Sequence, residues 1–296
     1  MSIADDPAVQ TLIAAAKAED FGSGDITTDL LPHSRQVSSF ALVASECGVL
    51  AGRDIVLPVL HAYDVSVTVE WTDDMVEGAV LADTPCTLAK LKGPLGPLLS
   101  AERVLLNFLQ RLCGVATLTR QFVDAVDGTG ARILDTRKTT PGWRTLEKYA
   151  VRCGGGANHR QGLYDAVLIK DNHLAGTDAN RLAFHVFDLL NNLDRGRVKP
   201  DFVEVEADNL DMVEQLLQVV GIDVILLDNF TPDQCREAVA LRDAEGVRDR
   251  VQFEASGGIT LDTARAYAEA GVERISAGCL THSAQSLDLK LERIEC

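Results

Sequence analysis

Apolar and polar positions follow two different rhythms along the 296 residues of this chain. Near the start, Val9, Leu12, Ile13 and Ala16 recur at helical spacing and predict a helix over 7–18. Phe40–Leu50, Val65–Trp71 and Thr87–Leu91 are β-rich, with Val65, Val67, Val69 and Trp71 alternating with polar neighbours. Gly93-Pro94-Leu95-Gly96-Pro97 is a turn signal, and a long helical stretch from Ser100 to Asp127 comes after it. This half predicts an N-terminal α+β domain over residues 1–115 with a mostly antiparallel sheet, and the C-terminal tail 280–296 is a candidate to pack on it.

From residue 131 a different unit repeats. Short apolar runs stop abruptly at a polar or small residue: Ile133-Leu134-Asp135, Val167–Lys170, Phe202–Glu206, Val224–Asp228, Val251–Ser256 and Ile275–Gly278. Helical segments with start signals lie between them. Thr231-Pro232-Asp233-Gln234 is a capping box, and Asp208 and Thr260 are candidate caps for two more helices. Buried strand, polar end and capped helix, repeated six times, predict a parallel β/α barrel over residues 116–279. Strand C-termini face the active site in such barrels. The polar ends Asp135, Arg137, Lys138, Lys170, Glu206, Asp228, Ser256 and Gly278 are therefore candidate site residues.

Charge sharpens this picture. The chain carries 28 basic and 44 acidic side chains, yet residues 132–173 hold eight Lys/Arg against four Asp/Glu. That window is net +4 and the remainder 20 − 40 = −20, which suits a pocket for a small, highly anionic ligand. The global field argues against nucleic acid or an anionic membrane as partner. Seven cysteines without a CxxC pair suit free thiols, and the absence of a signal pattern or long apolar run suits a cytoplasmic protein.

Each candidate has a chemical reason. Arg137 offers a bidentate fork and Lys138 a point charge for carboxylate or phosphate. Gly154-Gly155-Gly156 ahead of Asn158-His159-Arg160 lets the backbone approach a ligand closely. Lys170 ends an apolar run, so it is either paired, solvated in the pocket, or a nucleophile for imine chemistry. Glu206 and Asp228 suit Mg²⁺ held through water, sugar hydroxyls, or acid–base work. Glu204 shares the parity of Glu206 but lies deeper, so Glu206 is the preferred site residue. Ser256-Gly257-Gly258 and Gly278 expose backbone N–H groups for a phosphate.

The motifs together resemble the quinolinate phosphoribosyltransferases. They are Glu19–Thr28, Glu102-Arg103 through Gln110, Asp135–Pro141, Cys153–Arg160, Leu168–His173, Glu204-Val205-Glu206, Leu227-Asp228-Asn229, Ser256-Gly257-Gly258 and Ser276–Ser283, in order over essentially the whole chain. The resemblance implies an α/β fold: an N-terminal α+β sandwich domain followed by an open, seven-stranded β/α barrel. It implies transfer of phosphoribose from 5-phosphoribosyl-1-pyrophosphate to quinolinate with loss of CO₂, giving nicotinate mononucleotide and pyrophosphate with Mg²⁺ required. It assigns catalytic work to Lys138, Lys170, Glu206 and Asp228. Substrate binding falls to Arg103, Thr136, Arg137, Lys138, His159, Arg160, Lys170, Glu206, Asp228, Ser256, Gly257, Gly258, Ala277, Gly278 and Cys279. Glu206 and Asp228 would meet the metal through water, and Arg103 would reach the partner's site in a homodimer. Ala277-Gly278-Cys279 departs from an expected Val-Gly-Ala type of sequence, though the Gly persists. A paralogous pyrophosphorylase-like protein linked to molybdenum transport shares the scaffold, and the complete Thr136–Pro141 and Asn158-His159-Arg160 sets argue against it. A Schiff-base lyase using Lys170 and a non-enzymatic anion sensor are the readings from other classes.

Overall fold

The computed structural model describes residues 2–176, 181–194 and 199–294, without the side chains of 193 and 194. In chain order the elements are α1 (Pro7–Phe21), β1 (Val37–Ala44), β2 (Gly48–Val49), α2 (Arg53–His61), β3 (Thr68–Trp71), β4 (Val80–Leu81), β5 (Cys86–Pro94), α3 (Leu95–Ala125), β6 (Arg132–Leu134), α4 (Arg144–Cys153) and β7 (Val167–Ile169). They continue with α5 (Asp171–Leu174), α6 (Leu182–Asp194), β8 (Val203–Ala207), α7 (Leu210–Leu217), β9 (Val224–Asp228), α8 (Pro232–Ala244), β10 (Gln252–Ser256), α9 (Leu261–Glu269), β11 (Arg274–Ser276), α10 (Cys279–His282) and β12 (Leu289–Ile294). No helix among the described residues is long and apolar enough to cross a membrane.

The chain forms two compact units. One comprises 1–120, 138–155 and 280–296; the other 121–137 and 156–279. This differs from the sequence division at 115/116, because the segment carrying α4 leaves the barrel stretch and joins the first unit.

In the first unit an antiparallel sheet runs β12-β1-β5-β3. β1 is buried from Ser38 to Ala44, since it lies between β12 and β5 in this sheet. The single β stretch expected over Phe40–Leu50 is divided: β1 stops at Ala44, and β2 pairs instead with β4. The turn expected at residues 93–97 does not separate strand from helix either. Pro94 ends β5 and α3 begins at Leu95, with Pro97 in its first turn, where a missing N–H costs no hydrogen bond. Helix α1 starts at a cap in which the Ala8 N–H donates to Asp6 Oδ1 (2.8 Å), with Pro7 at the first position.

The second unit is a parallel sheet in the order β6-β11-β10-β9-β8-β7. Six strands stand where seven were expected among the described residues. β6 and β7 are the two ends of the sheet, so the barrel is open between them. On the free edge of β6, Ala157 makes a single parallel bridge to Leu134, its N–H donating to the Ile133 carbonyl (2.8 Å). The glycines before Ala157 end α4: Gly154 is its C-cap, and the Gly155 N–H donates to the Arg152 carbonyl (2.9 Å). Helix starts follow the expected grammar with one change. Thr231 and Gln234 form the capping box of α8, but α7 is capped by Asn209, whose Oδ1 accepts the Met212 N–H (2.9 Å), and not by Asp208. The described cysteines are free thiols; Cys296 lies outside the described residues.

Candidate active site

The C-terminal ends of β7, β8 and β9 assemble one cluster in the second unit. Glu206, the fourth residue of β8, is buried with 5% exposure, and its Oε2 takes the Lys170 ammonium, which arrives from the end of β7. Asp228 ends β9 beside Glu206's strand, and its Oδ2 accepts from Asn229 Nδ2 (2.7 Å). Carboxylate oxygens of Glu206, Asp208 and Asp228 all lie within 4.8 Å of one another. Three hard oxygen donors at this spacing fit Mg²⁺. Asp208 is therefore a site candidate that its reading as a helix cap concealed. The Lys170–Glu206 pair also tells against imine chemistry, since a lysine held as an ion pair is a poor nucleophile.

Asn158-His159-Arg160 is fixed by Asp135, which is wholly buried just past β6. The Asp135 carboxylate takes the Asn158 side-chain amide and the His159 N–H (3.0 Å). His159 Nε2 lies 2.8 Å from Glu204 Oε2 and 3.4 Å from Glu254 Oε1, both carboxyls fully buried. Arg274 Nε donates to Glu254 Oε2 (2.7 Å), and Phe202 lies against both the His159 ring and the Arg274 guanidinium. Burial and the Glu254 charge push the Glu204 carboxyl up, opposed by His159 and Arg274. For Arg160, burial first and the like charge of Arg137 second pull the guanidinium down, while Glu204 and Asp165 counter them. Arg137 and Arg160 thus share one cationic region, with Arg160 buried, Arg137 exposed and Thr136 half-buried before it.

The small-residue loops lie on neighbouring strands. Ser256-Gly257-Gly258 joins β10 to α9, and Ala277-Gly278-Cys279 follows β11, the next strand in the sheet. Gly257 and Gly258 both take positive φ (96° and 62°), which turns consecutive backbone N–H groups. Asn229, itself left-handed (φ 56°), donates its N–H to the Ser256 carbonyl (2.9 Å) and so ties the β9 end to this loop. The Ala277 N–H donates to the Leu134 carbonyl (3.0 Å), and the Cys279 thiol lies 3.8 Å from the Ile259 carbonyl.

Two expected site residues belong to the first unit. Arg103 is exposed on α3. Lys138 is exposed, and its carbonyl accepts from Thr281 Oγ1 (2.8 Å). The residues after it are held by a buried network around Glu147 of α4. The Thr140 N–H donates to Glu147 Oε2 (3.0 Å) and its hydroxyl to Oε1 (2.9 Å), while Arg111 Nη2 bonds Oε1 (2.7 Å). Pattern reading missed Arg111 and Glu147 because both sit inside helices, with nothing in their spacing to separate them from surface charges. It passed over Glu254 for another reason: the residue sits mid-strand between Phe253 and Ala255, where no strand end marks it.

Comparison with known proteins places the chain. Residues 25–113 match the quinolinate phosphoribosyl transferase N-terminal domain and residues 115–292 its C-terminal domain. The chain is 41% identical over 292 residues to the nicotinate-nucleotide pyrophosphorylase [carboxylating] of Mycobacterium leprae, covering 96% of this chain and 97% of that protein. It is 40% identical over 284 residues to the probable nicotinate-nucleotide pyrophosphorylase [carboxylating] of Bacillus subtilis, covering 93% and 89%. The solved nicotinate-nucleotide pyrophosphorylase of Francisella tularensis superimposes with a TM-score of 0.87 at 34% identity, covering 99% of both chains. The chain belongs to the quinolinate phosphoribosyl transferase family.

Proposed function

We infer that this chain transfers phosphoribose from 5-phosphoribosyl-1-pyrophosphate to quinolinate, releasing pyrophosphate and CO₂ and forming nicotinate mononucleotide for NAD biosynthesis. One observation carries the residue assignment. The second unit holds a cationic region, Arg137 past the end of β6 with Arg160 of the loop before β7, and a carboxylate cluster, Glu206 with Asp208 and Asp228, at the ends of β8 and β9. A dianionic acceptor and a pyrophosphorylated sugar need those two kinds of seat.

The roles follow from charge. Arg137, Arg160 and Lys170 take quinolinate carboxylates and phosphoryl oxygens. Lys138, next in the chain to Arg137, is assigned to the same anions, as is Thr136. Backbone N–H groups of Ser256, Gly257, Gly258, Ala277, Gly278 and Cys279 receive the 5-phosphate. Glu206 and Asp228, with Asp208 beside them, would hold Mg²⁺ through water, and the ion would supply charge neutralisation for the leaving pyrophosphate. Oxocarbenium character then develops at the ribose, and the fixed carboxylates Glu206 and Asp228 stabilise it electrostatically. The pyridine nitrogen attacks and becomes cationic; the adjacent carboxylate then leaves as CO₂, its bonding pair is held on C2 beside the ring cation, and a proton from water replaces it at C2. Positioning and electrostatics suffice without a covalent enzyme intermediate. The working form is a cytoplasmic homodimer in which Arg103 reaches the site of the second copy.

Pyrophosphate release that depends on quinolinate and on Mg²⁺ is the expected outcome with purified protein, and its absence from folded protein overturns the assignment. Arg137→Ala is expected to weaken quinolinate binding by about 2–5 kcal/mol, because the substrate carboxylate loses its partner. Unchanged affinity by calorimetry refutes that role.

A further inference from the structure

His159 is expected to touch substrate, yet both of its ring nitrogens point at the protein. Nε2 lies 2.8 Å from Glu204 Oε2, and Nδ1 accepts the Arg160 backbone N–H at 2.7 Å. Burial pulls the imidazole down, but the Glu204 bond and the charges of Glu254 and Glu204 outweigh it and hold the ring above its ordinary value. A second proton would have to sit on Nδ1, against the Arg160 N–H that already points there. The geometry decides for one proton, on Nε2. The same reasoning disposes of a metal at this place. The atoms of His159, Glu204 and Glu254 lie within 4.8 Å of one another, but a protonated Nε2 has no lone pair to coordinate with.

We propose that Glu204 and Glu254 are positioning residues for acceptor binding. Glu204 takes the Nε2–H of His159, with the Glu254 charge beside it, so that Nδ1 stays bare against the Arg160 amide and the backbone from which the Arg160 guanidinium reaches an anionic substrate is fixed. Four groups define the chain of support. Asp135 holds the His159 N–H from β6, Glu204 of β8 holds the ring, Arg274 of β11 orients Glu254 of β10, and the Ala166 carbonyl accepts from Arg160 Nη1 (3.2 Å). Asp135 follows β6, Glu204 lies in β8, Glu254 in β10 and Arg274 in β11, so the support of the His159-Arg160 segment draws on four strands. The two carboxylates also offset the cations above them: Glu204 counters Arg160, and Arg274 is spent on Glu254. His159 is then a spacer with a defined tautomer, and the residue that meets a carboxylate is Arg160. This rests on the proposed function in one respect, the assignment of Arg160 to quinolinate.

The test has two arms on the full-length protein. Ring ¹⁵N NMR of histidine-labelled chain, with His159→Gln to assign the signal, is expected to show His159 as the neutral Nε2–H tautomer with a hydrogen-bonded Nδ1. A proton on Nδ1 overturns the proposal, and this arm needs no substrate. In steady-state kinetics, Glu204→Ala is expected to raise the quinolinate KM about tenfold, the scale of one hydrogen bond to a charged group. Glu204→Gln, which keeps an acceptor oxygen, should return it to within about threefold of the parent. The KM for 5-phosphoribosyl-1-pyrophosphate should stay put in both, a split that general loosening would not produce. Equal quinolinate KM values in parent and folded Glu204→Ala overturn the proposal; if the alanine variant does not fold, equal effects of Glu204→Gln and Glu254→Gln on both substrates do so. A wild-type chain with no quinolinate turnover defeats the proposed function instead, and the NMR arm still decides the tautomer.

Discussion

The scaffold carboxylates of the first unit and the strand-end carboxylates of the second meet opposite fates. In the first unit, both Glu147 oxygens accept from Thr140 or Arg111, and Glu77 takes the N–H groups of Gly52 (3.1 Å) and Asp54 (3.2 Å) at the start of α2. Asp25 takes those of Thr27 and Thr28 (3.0 Å each) and the Ser100 hydroxyl (2.9 Å). These acids are consumed by the fold. In the second unit, Glu206 and Asp228 stand at strand ends, where a half-exposed lysine pairs with the first and an exposed asparagine side chain donates to the second. Residue type does not separate the two groups; what separates them is whether the donors are fixed by backbone. A carboxylate satisfied by main-chain N–H groups is part of the scaffold, and one satisfied by mobile side chains is available for chemistry.

The comparison breaks most sharply at Glu147 against Glu206. Glu147→Ala leaves the Arg111 guanidinium, at 21% exposure, without its carboxylate and strands the Thr140 donors. Removing one member of such a buried pair is expected to cost about 3–5 kcal/mol in stability, read from the urea midpoint. Glu206→Gln should shift that midpoint by less than about 1 kcal/mol, since its Lys170 partner is 45% exposed, while lowering kcat by about 100-fold. If both variants lose stability alike, the distinction between scaffold and site acids fails.

A smaller effect separates two adjacent glycines. A Cβ on Gly257 would sit 2.3 Å from Asn229 Oδ1 and 2.9 Å from the Asn229 backbone nitrogen, at a φ of 96°. Gly258 has φ 62°, and a Cβ there would meet no atom within 4 Å. Gly257→Ala is therefore expected to cost about 1–3 kcal/mol and to raise the KM for the phosphorylated sugar, because the β9 and β10 ends must part. Gly258→Ala should cost about 1 kcal/mol, the ordinary left-handed penalty. Identical thermal shifts for the two variants count against a tight Asn229–Gly257 contact.

Legibility from sequence depends on where a residue lies in its element. The six parallel strands and the strand-end candidates follow from apolar runs that stop at a polar residue, because a strand C-terminus in such a sheet is both the end of burial and the rim of the site. Position within a strand carries no such mark. Parity places Glu204 deeper than Glu206, but its pairing with His159 joins residues 45 positions apart, and Glu254 and Arg274 come from two further strands. The seventh strand expected from the family resemblance is not among the described strands; on the free edge of β6 only the Ala157 bridge stands. Asp208 shows the limit of capping rules: it and Asn209 are equally good cap residues, and only the main-chain path gives the cap to Asn209 and leaves Asp208 to the carboxylate cluster.

The smallest expected effect concerns Asp25, which lies in the Glu19–Thr28 motif yet is occupied by its own turn. Hydrogen bonds from the Thr28 hydroxyl and N–H, then from Ser100 and Thr27, outweigh burial and hold its carboxyl down at about 2, against 3.8 for a free aspartate. A depressed folded-state pKa favours folding once the unfolded chain's carboxyl is ionised. The contribution is therefore complete above about pH 4 and disappears as the pH falls through 2. Asp25→Asn is expected to lose about 1 kcal/mol near neutrality, the scale of a lost cap. The gap between variant and parent should close progressively as denaturation curves are taken from pH 4 towards 2. A gap that stays constant across that range would mean that Asp25 acts through packing rather than charge. A gap at neutrality accompanied by a loss of turnover larger than the stability change would move Asp25 from the scaffold acids to the site acids.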